Sequence, residues 1–393
     1  MRIVVQKYGG SSLSTVDKLK EVAAKIVATR REGYGVVVVV SAMGNSTDDL
    51  LALARQVSPS PPKRELDMLL SAGERISMSL MSAAIADLGE EAISFTGSQC
   101  GIVTTDSHSN ARIIDVRPFR VQDELARGRI VIVAGYQGTS YRREITTLGR
   151  GGSDTTAVAL AAALGAEHCS IYSDVAGIYS ADPRKVPSAQ RLDEISYEEM
   201  QEFARLGARV MNAQAVEFAR RRQISIWAKS TFGGTEGTQI HRVDGFPDVQ
   251  LKEVRAAGVR GVACTSDTLQ ASVANVDDAT ALLEKIEAHE LLAFRVDSAG
   301  AHALMSGENV ADSGEFCRQL TDAGVVVTPV STVSVVGLGV GTSADAITRV
   351  RGALAKAEVA SLGMNAGGAS IINVIPPGME ERAMNALHIE FLG

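Results

Sequence analysis

Five consecutive valines at positions 36–40 restrict this chain more than any other stretch. β-branched side chains favour extended backbone. A run that is apolar at every position, not only at alternate ones, suits a strand covered on both faces, as in a parallel sheet between helical layers. Similar strand signals recur at 3–6, 92–95, 130–134, 169–172 and 224–227, alternating with helical stretches at 16–29 and 63–88. This alternation over the first 230 residues predicts an α/β sandwich. Residues 233–247, glycine-rich and polar with one proline, read as a linker or domain boundary.

A chain of 393 residues exceeds one ordinary core. The last 130 residues repeat themselves: strand, helix, two strands and helix at 269–276, 279–289, 291–296, 301–305 and 313–323, then again at 333–337, 345–356, 359–364, 370–375 and 380–391. Two small α+β units are expected there. The net charge of −7 disfavours nucleic acid and anionic membranes as partners, and small molecules fit better. Cys100, Cys169, Cys264 and Cys317 form no CxxC, and the six histidines no HxxxH, so neither a disulfide framework nor a zinc site is expected. The opening residues read as a strand and not a signal peptide, no membrane span is expected, and a cytoplasmic location fits.

Five stretches could carry chemistry. In TLGRGGSDTTAVALAAA (147–163), glycines surround Arg150 just before a helix, with Ser153, Asp154 and Thr155 as candidate N-caps. A helix start beside an arginine is an anion site, although a tight turn with a surface arginine gives the same letters. The stretch Lys7-Tyr8-Gly9-Gly10-Ser11-Ser12 follows a strand and precedes a helix, as a phosphate cradle or a plain glycine turn. Its lysine precedes the glycines, so it is not a Walker A loop. Ser41 to Asp49 places hydroxyls, Ser41 and Thr47 among them, after the valine strand, where α/β ligands bind or a helix is merely capped. Ser71-Ala72-Gly73-Glu74-Arg75 sets a carboxylate on a helix, either solvated or paired with an ammonium group. The segment from Ser173 and Asp174 through Tyr179 to Arg184 could hold a nucleotide or be a surface loop. Gly337-Leu338-Gly339-Val340-Gly341 is set aside as a dinucleotide fingerprint because Thr342 replaces the next glycine.

In order, KYGGSS, VSAMGNSTDD, SAGERIS, FTGSQCGI, AGYQG, TTLGRGGSDTTAVALAAAL and YSDVAGIYSADPRKVP resemble the aspartate kinases of the amino acid kinase family. The resemblance implies a three-layer αβα amino acid kinase sandwich at 1–240, a linker at 241–257, and two ferredoxin-like ACT domains at 258–330 and 331–393. It implies transfer of the ATP γ-phosphoryl to the side-chain carboxylate of L-aspartate, giving 4-phospho-L-aspartate for lysine, threonine, methionine and diaminopimelate synthesis. It gives Lys7 contact with the transferring group, lined by Gly9, Gly10 and Ser11, with Asp154 orienting Lys7. Arg150 would hold the α-carboxylate and Glu74 the ammonium of aspartate, with Ser41, Thr47 and Ser153 completing the pocket. Ser173, Asp174, Tyr179, Arg184 and Arg209 would hold ATP, and Mg²⁺ would bridge the phosphates with few or no protein ligands. A homodimer through the ACT domains is implied.

Two departures matter. FTGWQAGI and GAKVLHPR of the family read FTGSQCGI and Gly207-Ala208-Arg209-Val210-Met211-Asn212-Ala213-Gln214 here. The ACT effector loop lacks its Pro-Gly turn, reading Val276-Asp277-Asp278 and Gly341-Thr342-Ser343, and Asn365-Ala366-Gly367-Gly368 offers few side-chain donors. Weak or absent inhibition by lysine and threonine is therefore expected. A related kinase acting on glutamate, a pathway-specific aspartate kinase, and a silent ACT ligand sensor remain the competing readings.

Overall fold

The structure is a computed structural model that describes residues 1–149, 151–208, 211–234, 236–243, 258–287, 289–307 and 313–393. The chain divides into two compact units. The first holds the described residues of 1–178, 191–197 and 210–245; the second holds Tyr179–Gln190 and the described residues of 198–209 and 246–393. Most of the expected linker, residues 244–257, lies outside the described residues.

The first unit begins β1 (Ile3–Tyr8), α1 (Val16–Arg31), β2 (Gly35–Val40), α2 (Ser46–Val57), α3 (Lys63–Asp87) and β3 (Ala92–Phe95). It continues with β4 (Ile102–Thr104), β5 (Ile113–Val116), α4 (Phe119–Ala126), β6 (Ile130–Ala134), β7 (Gln137–Ser140), β8 (Ile145–Thr147), α5 (Gly152–Leu164) and β9 (His168–Ser173). Then come β10 (Glu194–Ser196), α6 (Tyr197–Arg205), which from Glu198 on belongs to the second unit, α7 (Ala213–Arg222), β11 (Ile226–Ser230) and β12 (Gly237–His241). Among the described residues, eight strands form one sheet in the order β10-β12-β11-β9-β1-β2-β6-β3. Around β1 the neighbours are parallel, Val4 to Tyr8 pairing with both β2 and β9.

Alternate residues of a strand face opposite sides. Val4 and Tyr8 of β1, Val36, Val38 and Val40 of β2 and Ile130, Ile132 and Ala134 of β6 pack with Leu19, Val22, Ile26, Met78, Met81 and Ile85 of α1 and α3. The intervening Val5, Val37, Val39, Val131 and Val133 are equally buried. Their face carries α5, buried nearly all round from Gly152 to Ala161. The valine run is therefore sealed on both sides of a three-layer αβα sandwich. A second sheet, β5-β4-β7-β8, was not legible in the sequence because its strands are three or four residues long, too short for periodicity to register.

The second unit contains β13 (Gly261–Val273), α8 (Ala279–Ile286), β14 (Leu291–Asp297), β15 (Gly300–Ser306), α9 (Ser313–Asp322), β16 (Val326–Val336), α10 (Ala344–Lys356), β17 (Gly363–Ala366), β18 (Ser370–Ile375) and α11 (Glu380–Leu392). Its sheet order is β14-β15-β13-β16-β18-β17. Both repeats are present as α+β units, but they share two long strands. β13 pairs with β16 along Gly261–Thr265 and again along Thr268–Ser272, with the register shifting between Thr265 and Thr268. The later half of β13 also pairs with β15, and the later half of β16 with β18. Each long strand thus serves as first strand of one repeat and last strand of the other, so the second repeat is completed by residues that precede the first. The expected strand at 269–276 extends back to Gly261 and ends at Val273, where Asn275 caps a short turn by accepting from the Asp277 N–H at 3.2 Å.

The glycines of 337–341 and 367–368 meet each other. Gly339 N–H donates to the Gly368 carbonyl at 2.7 Å, and a Cβ on Gly341 would stand 1.6 Å from the Gly367 carbonyl oxygen. They are consumed by backbone packing inside the repeat.

Asn373 on β18 pairs with Val333 and shares the face of Ile371 and Ile375, which pack in the core under α10 and α11. It is fully buried, and neither side-chain polar atom has a hydrogen-bond partner among the described residues. An unsatisfied buried amide costs about 1–3 kcal/mol. Asn373→Val should therefore slow hydrogen exchange of the β18 amides about fivefold or more; faster exchange would show that the amide is satisfied.

Candidate active site

The carboxyl ends of β1, β2, β6, β9 and β11 lie along one edge of the sandwich, the edge at which open α/β sheets bind ligands. Lys7, next to last in β1, faces the α5 side. Its Nζ stands 2.7 Å from Asp154 Oδ1, with the side chains 12% and 9% exposed. Asp154 sits in the first turn of α5, where a carboxylate is favoured by the amide dipoles. The helix begins earlier than the candidate caps: Gly151 is the N-cap, at φ +69°, so Ser153, Asp154 and Thr155 fall inside the first turn. A side chain at Gly151 would strike Asn212 Cβ at 2.7 Å. Asn212, where the family motif has histidine, caps α7 by accepting from Gln214 and Ala215 N–H.

The turn after β1 is pinned on two sides. Gly9 N–H donates to the Tyr172 carbonyl at 3.2 Å, and Gly44 N–H to the Gly10 carbonyl at 3.0 Å. A Cβ on Gly10 would lie 2.8 Å from the Ala42 carbonyl oxygen, so this position requires glycine. Ser12 Oγ lies 2.6 Å from Thr231 Oγ1, which donates to the Ser173 carbonyl at 3.0 Å. Ser11 is exposed. Ser41 and Thr47 are half-buried after β2 and in the first turn of α2. Ser153 is buried against Gly135, whose Cβ would stand 2.6 Å from its Oγ.

Glu74 is 3% exposed on α3. One carboxylate oxygen accepts the Ala42 N–H at 3.0 Å; the other, Oε2, is buried without a hydrogen-bond partner among the described residues. Burial raises its carboxyl from 4.5 to about 7, and the Ala42 N–H opposes that rise. A buried carboxylate with one oxygen unsatisfied suits a cationic ligand.

The structure describes four of the remaining sequence candidates. Ser173 Oγ accepts from Val175 N–H at 3.1 Å, and Asp174 is exposed, both at the end of β9. Tyr179 and Arg184 belong to the second unit. Arg184 donates Nε and Nη2 to Asp182 at 3.0 and 2.9 Å, holding that carboxyl below its usual range. Arg150 and Arg209 lie outside the described residues.

Sequence reasoning missed Asp67. It is fully buried on α3 and accepts from Thr147 Oγ1 at 2.6 Å and from Ser109 N–H at 3.0 Å, with His108 Nδ1 2.7 Å away. Its signal was its place on the buried stripe of α3, with Leu70, Ser71, Glu74, Met78, Met81 and Ile85, where a charged residue calls for a partner.

Between pH 4.5 and about 7 the folded chain binds a proton at Glu74 that the unfolded chain has released, so stability from this group falls as pH rises. The full cost, on the order of 3 kcal/mol at about 1.4 kcal/mol per unit, is present above pH 7. Glu74→Gln lacks this titration. Its urea midpoint relative to the parent, followed by the single Trp227, should improve from pH 5 to pH 8; an unchanged difference would contradict the burial argument.

Residues 2–229 match the sequence model of the amino acid kinase family. Over 260 residues the chain is 55% identical to an aspartokinase of Mycobacterium tuberculosis, covering 66% of this chain and 61% of that protein. It thus spans less than two thirds of that relative's length in the match. Over 405 positions it is 38% identical to aspartokinase 2 of Bacillus subtilis, covering 100% of this chain and 98% of the other. The fold matches a crystal structure of Escherichia coli aspartokinase III, in complex with aspartate and ADP, over 100% of both chains, with TM-score 0.84 at 22% identity. The chain belongs to the amino acid kinase family and, within it, to the aspartokinases.

Proposed function

We propose that the chain is an aspartate kinase, transferring the γ-phosphoryl of ATP to the side-chain carboxylate of L-aspartate to give 4-phospho-L-aspartate and ADP. The observation that carries this reading is the pairing, on one sheet edge, of the Lys7–Asp154 ion pair with the unsatisfied buried carboxylate of Glu74. The nucleophile is already ionised, so no strong base is needed, and catalysis consists of positioning and charge neutralisation. Lys7 neutralises charge on the transferring group, lined by Gly9, Gly10 and Ser11, and Asp154 fixes the ammonium where it is needed. Glu74 receives the ammonium of aspartate, whose approach favours the carboxylate form. Ser41, Thr47 and Ser153 line the acceptor pocket, and Arg150 takes the α-carboxylate by the sequence motif. Ser173 and Asp174 hold nucleotide at the end of β9; Tyr179, Arg184 and Arg209 enter through their motifs.

Mg²⁺ accompanies the nucleotide in this proposal and neutralises phosphate charge when bound. Among the described residues there is no cluster of three histidine, cysteine or carboxylate ligands, and this ion commonly keeps its waters and phosphate oxygens. The proposal places the reaction at the head of lysine, threonine, methionine and diaminopimelate synthesis, in the cytoplasm, in a homo-oligomer joined through the C-terminal α+β repeats as ACT domains. No described helix is long and apolar enough to cross a membrane.

The deciding experiment is ADP release measured with aspartate, glutamate, carbamate and acetylglutamate as acceptors. Turnover with aspartate alone is expected; preference for another acceptor, or ATP binding with no turnover, would overturn the reading. Lys7→Ala should lower kcat at least about a hundredfold in a folded protein, and near-parental turnover would contradict its role. If Glu74 binds as a carboxylate, the aspartate KM falls as pH rises through about 7; a flat profile would remove Glu74 from the ammonium site.

A further inference from the structure

We infer that Asp67 is a positioning residue for the acceptor side of the site, setting aspartate affinity through backbone it holds and not by touching substrate. The inference rests on the kinase reading above and adds a residue to it. Asp67 and Glu74 are seven residues apart on α3, two turns and about 10.5 Å along the axis on the same face. Ser71 lies between them, its carbonyl accepting from Gln137 Nε2 at 3.0 Å. One helix face thus grips, in succession, the 108–109 loop with Thr147, the start of β7, and the loop after β2.

Asp67 has no exposed surface, and its carboxylate organises two segments at once. Oδ1 accepts from Thr147 Oγ1 at 2.6 Å and from Ser109 N–H at 3.0 Å; Oδ2 lies 2.7 Å from His108 Nδ1. Ser109 is held at φ +66°, a left-handed conformation uncommon outside glycine, and the carboxylate meeting its N–H offsets that strain. The two segments are joined again by Ala111 N–H donating to the Thr147 carbonyl at 2.9 Å. Next to them Gly149, at φ +76°, presses on Asn110: a Cβ there would stand 3.2 Å from Asn110 Oδ1. Leu148 N–H donates to the carbonyl of Tyr136, itself at φ +67°. The chain from Thr147 to Gly149, directly before the glycine turn that starts α5, is therefore held on one side by Asp67 and the 108–111 segment it anchors, and on the other by the pairing of Thr147 with Gln137 and by the Tyr136 carbonyl. A buried carboxylate accepting several hydrogen bonds is stable only while those donors stay in place, so the loop and the carboxylate fix each other.

The test uses the full chain and the variants Asp67→Asn and Thr147→Val, the second removing a single donor in case the first fails to fold. Two readouts are taken. In steady state the aspartate KM should rise about tenfold or more in Asp67→Asn and less in Thr147→Val, with the ATP KM within about twofold of the parent. A purely structural role would lower kcat by loss of folded enzyme and leave both KM values alone, and that result, or equal rises in both, would overturn the inference. Hydrogen exchange at 108–111 and 147–149 should quicken in both variants while the β1 and β2 amides stay protected; unchanged exchange in those loops would also overturn it. If the parent acts on a different acceptor, the kinase reading fails as stated, and the KM split is read for that acceptor while the exchange result still judges Asp67.

Discussion

A cation held at the end of a central strand is the constraint on which the site depends. Lys7 cannot sit there nearly buried without a counter-charge, and Asp154 supplies one from the first turn of α5 at 2.7 Å. That contact joins β1 to the first turn of α5, the helix that starts after Gly151 and is otherwise held by its buried packing. The left-handed backbone at Gly149 and Gly151 turns the chain from β8 into a helix whose amide end points at the same edge as Lys7. An anion approaching this edge meets a positive charge and a helix start together.

The opposite side of the edge is built by α3. Its buried stripe carries apolar residues against the sheet and, toward its beginning, Asp67, Ser71 and Glu74. Glu74 binds the loop after β2, Asp67 the loop before β5 and the end of β8. Placing two carboxylates in the buried face of a helix weakens its packing, and the compensating hydrogen bonds go to the loops beside the site and to the end of β8. A charge neutralised by the protein alone would leave nothing for a ligand; Glu74 Oε2 remains an acceptor without a donor among the described residues.

Much of this was legible in the letters. The valine run fixed a doubly covered strand, the glycine clusters marked turns that at Gly10, Gly151 and Gly341 leave no room for a Cβ, and the repeat in the last 130 residues marked two α+β units. What escaped has physical causes. The strands of the small sheet are too short to show a period. The sharing of β13 and β16 between repeats depends on long-range pairing, which a linear pattern does not display. The N-cap of α5 went to glycine over three better side-chain caps because the backbone had to turn left-handed there. Asp67 was passed over because a lone Asp in a helix resembles a solvated one until its neighbours on the stripe are seen to be buried.

The central claim is that Lys7 and Asp154 act as one device, and a double-mutant cycle on turnover tests it most directly. If Asp154 serves to hold Lys7, then once Lys7→Met has been made, adding Asp154→Asn should cost little more, and the double variant should be about as slow as the slower single one. Additive losses, each substitution multiplying the other's effect in full, would mean that the two groups act separately and would contradict the account.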